Sequence, residues 1–319
     1  MKRINFFPWT DDSSVLGYGT TSFMSADSTK ERLALLAAAF DQGINHFDTA
    51  AYYGYGEAER LLGKFLVGKR DKVTVTTKFG IEPTGIVKLR WANLLVRKAF
   101  KVIPSLRKIV VRRPGVAAVS NVFDPIKAEQ SLDRSLTALR TDYVDLFLLH
   151  EPSLESVASG SLMEYLEREI GRGRIRAFGC GGAETVLEVV AKKNLSSGRW
   201  LQFEDNVIHK RIESIAGGDR RCITYAPFNS SLKMVMTWLR AEPARILAWS
   251  KQLDIDCSLA DNIAALLQAT SHGRNASGIV LFSTRKVEHI KSAVKVASGN
   301  YVTNDQCDKF IKLTAAIRW

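Results

Sequence analysis

Along this chain, short apolar runs alternate with segments whose apolar residues recur every three to four positions, from one end to the other. Leu33, Leu36, Ala37 and Phe40 fall at helical spacing before Gly43, and the apolar run Ile44 to Phe47 follows almost at once. Leu61, Leu62, Phe65 and Leu66 mark the next helix, closed by Gly68, with the β-rich run VTVTT (73–77) after it. Leu132, Leu136 and Leu139 form a stripe leading into YVDLFLLH, whose alternation predicts Val144, Leu146, Leu148 and His150 on one side of a strand. Val15 to Thr20 is the first strand, and RIRAFG (174–179), RWLQFE (199–204), CITYAPF (222–228) and GIVLFS (278–283) are the later ones. That makes eight strands at spacings suited to βα crossovers. No break in composition divides the chain. The pattern predicts an α/β fold, a (β/α)8 TIM barrel forming a single domain over residues 1–319. A doubly wound sheet is the alternative, but its phosphate-binding turn needs a third glycine that Gly17-Tyr18-Gly19 lacks.

In such a barrel the active site is built at the C-terminal strand ends. Three of the predicted strand tips carry polar residues: Asp48 after Phe47, Lys78 after Thr77 and His150 after Leu149. Tyr53 follows Asp48 by five residues in a glycine-bearing turn. Together these four types can reduce a carbonyl. A phenol, with an ordinary pKa of about 10, donates the proton, and a lysine cation beside it favours its phenolate. Asp48 would hold that lysine, and His150 would donate a hydrogen bond to the substrate oxygen. Taken singly, Asp48 could open a turn, Lys78 could be an ion-pair partner, and Tyr53 and His150 could be packed wall residues. Their joint occurrence at successive tips is what favours catalysis.

Charge alters the picture in one place. The chain of 319 residues is 46% hydrophobic, enough for a large core, and its 45 basic against 33 acidic residues give a net charge of +12. Between Glu82 and Asp124 there is no acidic residue but there are nine Lys or Arg, so the excess is concentrated in an extended basic loop after the third strand, an insertion at about 81–123. Trp91, Leu94, Leu95, Lys98 and Val102, with Arg97 and Lys101, suggest a cationic amphipathic helix. Through residues 88–113 it could touch a membrane surface or an acidic partner; the other reading is a partly folded lid with solvated lysines. Nucleic acid is not expected, since no reader motif accompanies the charge. Cys180, Cys222, Cys257 and Cys307 are far apart and form no CxxC pair, which argues for inert thiols in a reducing compartment, with no metal site. The start MKRINFFPWTDD reaches Asp11 and Asp12 before any apolar stretch of signal-peptide length. No run approaches the roughly 18 apolar residues of a membrane span. A cytoplasmic protein is the expectation.

Several segments together resemble one family: LGYGT (16–20), GINHFDTAAYYGYGEAERLLGKFL (43–66), TTKFG (76–80), SLDRSLTALRTDYVDLFLLHEP (131–152) and GRIRAFG (173–179). They look like the aldo-keto reductases, and the long third loop with the LLHEP ending looks most like the aldose-dehydrogenase-like bacterial branch acting on free sugars. The resemblance implies a (β/α)8 barrel holding NADP(H) without a Rossmann fold, with NAD(H) as a second possibility. It places the catalytic tetrad on Asp48, Tyr53, Lys78 and His150, the set found from strand ends. Cofactor contacts would fall on Gly19, Thr20, Asp48, Gln202 at the nicotinamide amide, Tyr225 on the nicotinamide ring, and Ser283, Thr284 and Arg285 at the 2′-phosphate, where Lys286 is a rival. The implied activity is NADP(H)-dependent interconversion of a carbonyl (sugar, aldehyde or ketone) and its alcohol by hydride transfer, with Tyr53 as acid and base. Two departures stand out. Gly181-Gly182 replaces the family's Ser-Asn pair that holds the carboxamide, and Ser292-Ala293 replaces a frequent Glu-Asn. They imply weaker cofactor binding or a relaxed NADPH preference, and they keep open a catalytically weak nicotinamide-binding regulatory or interaction protein on the same fold.

Overall fold

Val, Ile, Leu, Thr and Phe dominate the runs that become strands, because such side chains pack well on a pleated surface buried on both faces. The computed structural model describes residues 1–10, 12–24, 28–81, 122–182 and 184–317. Its eight parallel strands are β1 Leu16–Gly19, β2 His46–Asp48, β3 Thr74–Phe79, β4 Val144–His150, β5 Ile175–Gly181, β6 Trp200–Glu204, β7 Arg221–Tyr225 and β8 Ile279–Phe282. They close into a barrel in sequence order, with β8 pairing β1. Every predicted strand is present. The run CITYAPF, however, ends as a strand at Tyr225, because Ala226 adopts a left-handed φ of 57° and Pro227 has no N–H to donate. The basic insertion, with its amphipathic-helix and lid readings, lies largely at 82–121, outside the described residues.

Helices return the chain outside the barrel: α1 Thr29–Asp41, α2 Glu57–Leu66, α3 Pro125–Leu139, α4 Gly160–Gly171 and α5 Glu184–Lys192 precede β2, β3, β4, β5 and β6. Their starts are written locally. Ser28 and Glu31 form a reciprocal capping box on α1, and Asp124 caps α3 just before Pro125. Between α2 and α3 the backbones meet at Gly63, where a Cβ would stand 2.3 Å from the Ala138 carbonyl oxygen. Only glycine fits there. After β7 come three helices, α6 Asn229–Arg240, α7 Pro243–Leu253 and α8 Ala260–Arg274, and β8 is followed by α9 Val287–Ala297 and α10 Asn304–Ala315. Among the described residues no helix is long and apolar enough to cross a membrane.

The core has an outer layer between strands and helices, with Leu36, Phe47, Leu62, Phe147, Leu149 and Leu166 fully buried. Each side chain of this size contributes roughly 1.5–3 kcal/mol by leaving water. A second cluster fills the barrel itself. There Leu146, Leu148, Trp200 and Ile223 pack with Phe6 and Phe7, and the Phe7 and Trp200 rings stack at 5.1 Å. Phe6 and Phe7 belong to an N-terminal ribbon in which Arg3–Ile4 pairs antiparallel with Ser13–Ser14 and closes the end of the barrel away from the strand tips. Of the four β4 residues expected on one side, Leu146 and Leu148 line this interior, whereas Val144 joins the outer layer at the start of the strand.

Candidate active site

Strand alternation sends His46 and Asp48 of β2 into the barrel while Phe47 faces Phe65 of α2. Asp48 is paired in register with Gly19 and Thr76, and His150 with Gly181, which is itself paired with Gln202. Lys78 and His150 therefore rise from β3 and β4 toward the same mouth as Asp48. After Asp48 the chain turns at Thr49 and Ala50, and the Tyr53 N–H donates to the Ala50 carbonyl at 3.0 Å. Gly54, Tyr55 and Gly56 then take left-handed φ values of 59°, 56° and 81° before α2 begins. That tight reversal leaves Tyr53 over the mouth.

The four residues meet. Lys78 Nζ donates to Asp48 Oδ1 at 2.6 Å and to the Thr49 carbonyl at 2.9 Å, and lies 5.2 Å from the Tyr53 ring centre. Gln202 Nε2 donates to Asp48 Oδ2 at 2.7 Å, so both carboxylate oxygens are engaged. Asp48 and Lys78 are each 3% exposed, and a pair so buried is costly to break because either partner alone would be an uncompensated charge. Burial pulls the Lys78 ammonium below its usual pKa, against the opposing pull of Asp48. The Tyr53 and His150 rings stand edge to face, 6.1 Å apart at 87°.

Electrostatics at Tyr53 differ from the expectation that Lys78 would favour the phenolate. Burial first, then the charges of Asp48 and Glu151, push the phenol well above its ordinary pKa. Burial is the largest cause, and the two carboxylates act in the same direction as burial. His150 moves the other way, pulled down to about 3 by burial and by the charge of Lys78. A protonated phenol and a neutral imidazole thus face one cavity of about 510 Å³. Both can give a hydrogen bond to a carbonyl oxygen, and one can give up its proton.

The expected cofactor residues divide. Gly19, Gln202, Tyr225 and Ser283 line the mouth cavity. Thr20 does not: it is fully buried, and its hydroxyl bonds to the Asp48 carbonyl and the Thr49 hydroxyl, propping the end of β2, while Thr21 takes the lining position. Beyond Phe228, Phe282 and Ser283, which both share, a second cavity of about 550 Å³ continues past β8. Its wall includes Thr284, Lys286, His289, Ser292 and Lys295; Arg285 is exposed and lies outside both walls. The two cavities form an elongated groove with donors at one end, and at the other Lys286 and Lys295 stand beside Asp261 and Glu288. At Gly19 a Cβ would meet nothing nearer than 3.6 Å, so the groove can admit a ligand close to the backbone there. Those residues fit an extended dinucleotide.

Sequence reasoning passed over three groups. Glu59, 2% exposed, accepts from the Thr77 hydroxyl at 2.7 Å, and burial raises its carboxyl pKa. The Thr49 carbonyl, a ligand of Lys78, carries no side-chain signal. Glu151 lines the mouth beside His150; the LLHEP segment was visible, but nothing in it says which way the carboxylate turns. Burial pushes the Cys180 and Cys222 thiols up to about 12, which leaves them protonated near neutrality.

Known proteins decide the family. The description "Aldo/keto reductase family" matches residues 15–198, more than half of the chain. The chain belongs to the aldo/keto reductase family. Among characterised sequences, this aldo/keto reductase is 29% identical over 229 residues to D-threo-aldose 1-dehydrogenase of a Pseudomonas species, covering 68% of this chain and 66% of that protein. It is also 29% identical over 175 residues to aldo-keto reductase YhdN of Bacillus subtilis, covering 53% of this chain and 43% of that one. The matches thus span between 43% and 66% of the length of these relatives. Among solved structures, the holo form of an aldo-keto reductase from Bacillus halodurans is similar with a TM-score of 0.69 at 17% identity, covering 100% of this chain and 98% of that one. An aldo-keto reductase from Klebsiella pneumoniae in complex with NADPH is similar with a TM-score of 0.69 at 16% identity, covering 100% and 97%. At such identities the likeness establishes the barrel fold.

Proposed function

We propose that the protein is an NADP(H)-dependent oxidoreductase that interconverts a carbonyl compound and its alcohol, with an aldose, a simple aldehyde or a ketone as substrate class. The observation that carries this reading is the buried Asp48 and Lys78 pair, 2.6 Å apart, beneath Tyr53 and His150 at one cavity. Tyr225 would face the nicotinamide ring, Gln202 its amide, and Lys286 and Lys295 the phosphate groups in the second cavity. When bound, NADPH would supply the hydride for the carbonyl carbon. Neutral His150 gives its N–H to the carbonyl oxygen, orienting it and stabilising the charge that develops there. Tyr53 gives that oxygen its proton. The raised pKa of Tyr53 keeps it protonated near neutrality, which suits reduction; oxidation needs the phenolate and therefore a higher pH. Asp48 holds Lys78 and, through Gln202, ties β2 to β6.

The family relation and the aldose dehydrogenase among its relatives support this substrate class. Turnover of a panel of aldoses, aldehydes and ketones with NADPH, followed by loss of reduced-nicotinamide absorbance, tests it. Saturable oxidation of NADPH by at least one carbonyl class is the expected result. Tight NADPH binding with no turnover across the panel would instead favour a nicotinamide-binding regulatory protein.

A further inference from the structure

The helices of the first arc begin differently. Ser28 and Asp124 cap α1 and α3 with their side chains, whereas α2 starts from Gly56, at a φ of 81°, with no side-chain cap. Tyr53 heads the reversal through Gly54 and Tyr55 that leads into this uncapped start. A tertiary bond stands where the cap is missing. Glu59, in the first turn of α2, is 2% exposed, and its Oε1 accepts from the Thr77 hydroxyl of β3 at 2.7 Å. Strand alternation turns Thr77 toward the helix layer while Lys78, the next residue, points into the barrel. Val75 and Phe79, on the same face of β3 as Thr77, pack in the outer apolar layer with Leu61 and Leu62 of α2. Glu59 and Thr77 are thus a buried polar pair set in apolar surroundings, where a hydrogen bond is strong and fixes one arrangement of the elements that carry it.

We infer that Glu59 is a positioning residue for Tyr53 and Lys78: by holding the Thr77 hydroxyl it fixes the first turn of α2 against β3, and so sets the phenol over the ammonium. The Lys78 ammonium lies 5.2 Å from the Tyr53 ring centre, and one group is delivered by the start of α2 and the other by the tip of β3. The separation therefore depends on how those two ends meet. The left-handed turn at Gly54, Tyr55 and Gly56 is compact, so a shift in the first turn of α2 carries Tyr53 with it. The carboxylate and the ammonium also act on each other across the strand. Burial raises the Glu59 carboxyl pKa, opposed by the Thr77 hydroxyl and by the charges of Arg134 and Lys78; burial lowers the Lys78 pKa, opposed by Asp48 and then by Glu59. Glu59 lies outside the wall of the mouth cavity, so it acts through these neighbours and not on a ligand. The inference rests on the carbonyl-oxidoreductase reading above and adds a residue to its machinery.

Thr77→Val keeps the shape and removes the hydroxyl, and Thr77→Ser restores it. Each protein is assayed for kcat and KM with the best substrate of the carbonyl panel, for the NADPH dissociation constant, for Tm, and for hydrogen exchange in the 49–57 segment. In Thr77→Val, kcat is expected to fall about tenfold, with KM and the NADPH dissociation constant within about threefold of wild type, because a displaced proton donor slows chemistry and not binding. Exchange at Tyr53–Gly56 should quicken about tenfold as the turn loosens, and Thr77→Ser should reverse both changes. Adding Glu59→Leu to Thr77→Val removes the two polar partners together, so the Tm lost in the single variant should return while kcat stays low. A kcat that recovers along with Tm shows the pair to serve stability alone and overturns the inference, as does a wild-type kcat in Thr77→Val. If the wild type reduces no member of the panel, the oxidoreductase reading falls and exchange decides the tie by itself: faster exchange in Thr77→Val supports it, and unchanged exchange overturns it.

Discussion

The two arcs of the barrel mouth are built differently. From β2 to β4, Asp48 and Lys78 are sealed from water and cross-bonded, with Thr20 and Thr49 bracing the end of β2 and Gln202, buried on β6 in the other arc, reaching across to Asp48. From β5 to β8 the wall is glycine at 181 and 182, a partly exposed Tyr225, and a β8 tip where Ser283, Arg285 and Lys286 face solvent. On the proposed reading this arc handles the proton, and proton transfer tolerates little misplacement, which a buried network suits. Holding a long, charged ligand needs no single indispensable contact, so that arc can lose an amide pair or exchange one cation for its neighbour. The family description ends at residue 198, so it covers the first arc fully and the second only in part.

Breaking the buried arc should have the largest effect. Lys78→Met strips Asp48 of its cation while leaving it buried, and we expect activity to fall by roughly 10²-fold or more and unfolding stability by about 3–5 kcal/mol. Denaturant titration beside steady-state rates checks both; full stability would mean that Asp48 is protonated or hydrated in the variant. Acid should strike the same region next. His46, fully buried beneath Asp48 and bonded to the Thr74 hydroxyl, has its pKa pulled down to about 3 by burial and by Lys78, against an unfolded value near 6.5. The unfolded chain binds the extra proton, so this stabilisation is complete above about pH 6.5 and is lost as pH falls toward 3, on the order of 4–5 kcal/mol for this one group. The difference in Tm between pH 7 and pH 4 should shrink in His46→Gln, and an unchanged difference would remove His46 from the account.

How far these arcs were legible in the sequence follows the same division. The tetrad could be found because each member sits at or beside the tip of an apolar run, and strand alternation then dictates which residues face inward. Phe6 and Phe7 escaped notice as the barrel plug, since a ribbon of two-residue strands leaves no periodic pattern. The depressed Tyr53 pKa was expected from the presence of Lys78 alone; the outcome is set first by burial and then by the carboxylates of Asp48 and Glu151, which is a matter of tertiary geometry. Thr20 and Arg285 were expected at the cofactor from the resemblance alone, which says nothing of burial: Thr20 is fully buried and Arg285 is exposed.

The open arc should respond more gently. Lys286→Ala is expected to weaken NADPH about tenfold while altering NADH little, because only the first carries the extra phosphate. Arg285→Ala should leave that ratio near its starting value. Titration of both nucleotides against both variants decides between them, and a larger ratio change at Arg285 would move the phosphate site. At the carboxamide end, Gly181→Ser has room, since its Cβ would meet Gln202 at 3.5 Å, and a new hydrogen bond there could tighten the nucleotide by roughly 0.5–1.5 kcal/mol. Gly182→Asn must displace the Glu151 carboxylate from a left-handed backbone position, so it should weaken binding; a tighter dissociation constant would show that the loop readily rebuilds.

The division of labour between the arcs is tested most directly by Tyr53→Phe, which deletes one oxygen. NADPH binding by fluorescence titration and single-turnover carbonyl reduction should be measured on the same preparation. The account predicts a dissociation constant within about threefold of wild type together with a chemical step slowed by roughly 10²–10⁴-fold. A chemical step of comparable rate in Tyr53→Phe would contradict it and take the proton-donor role away from Tyr53.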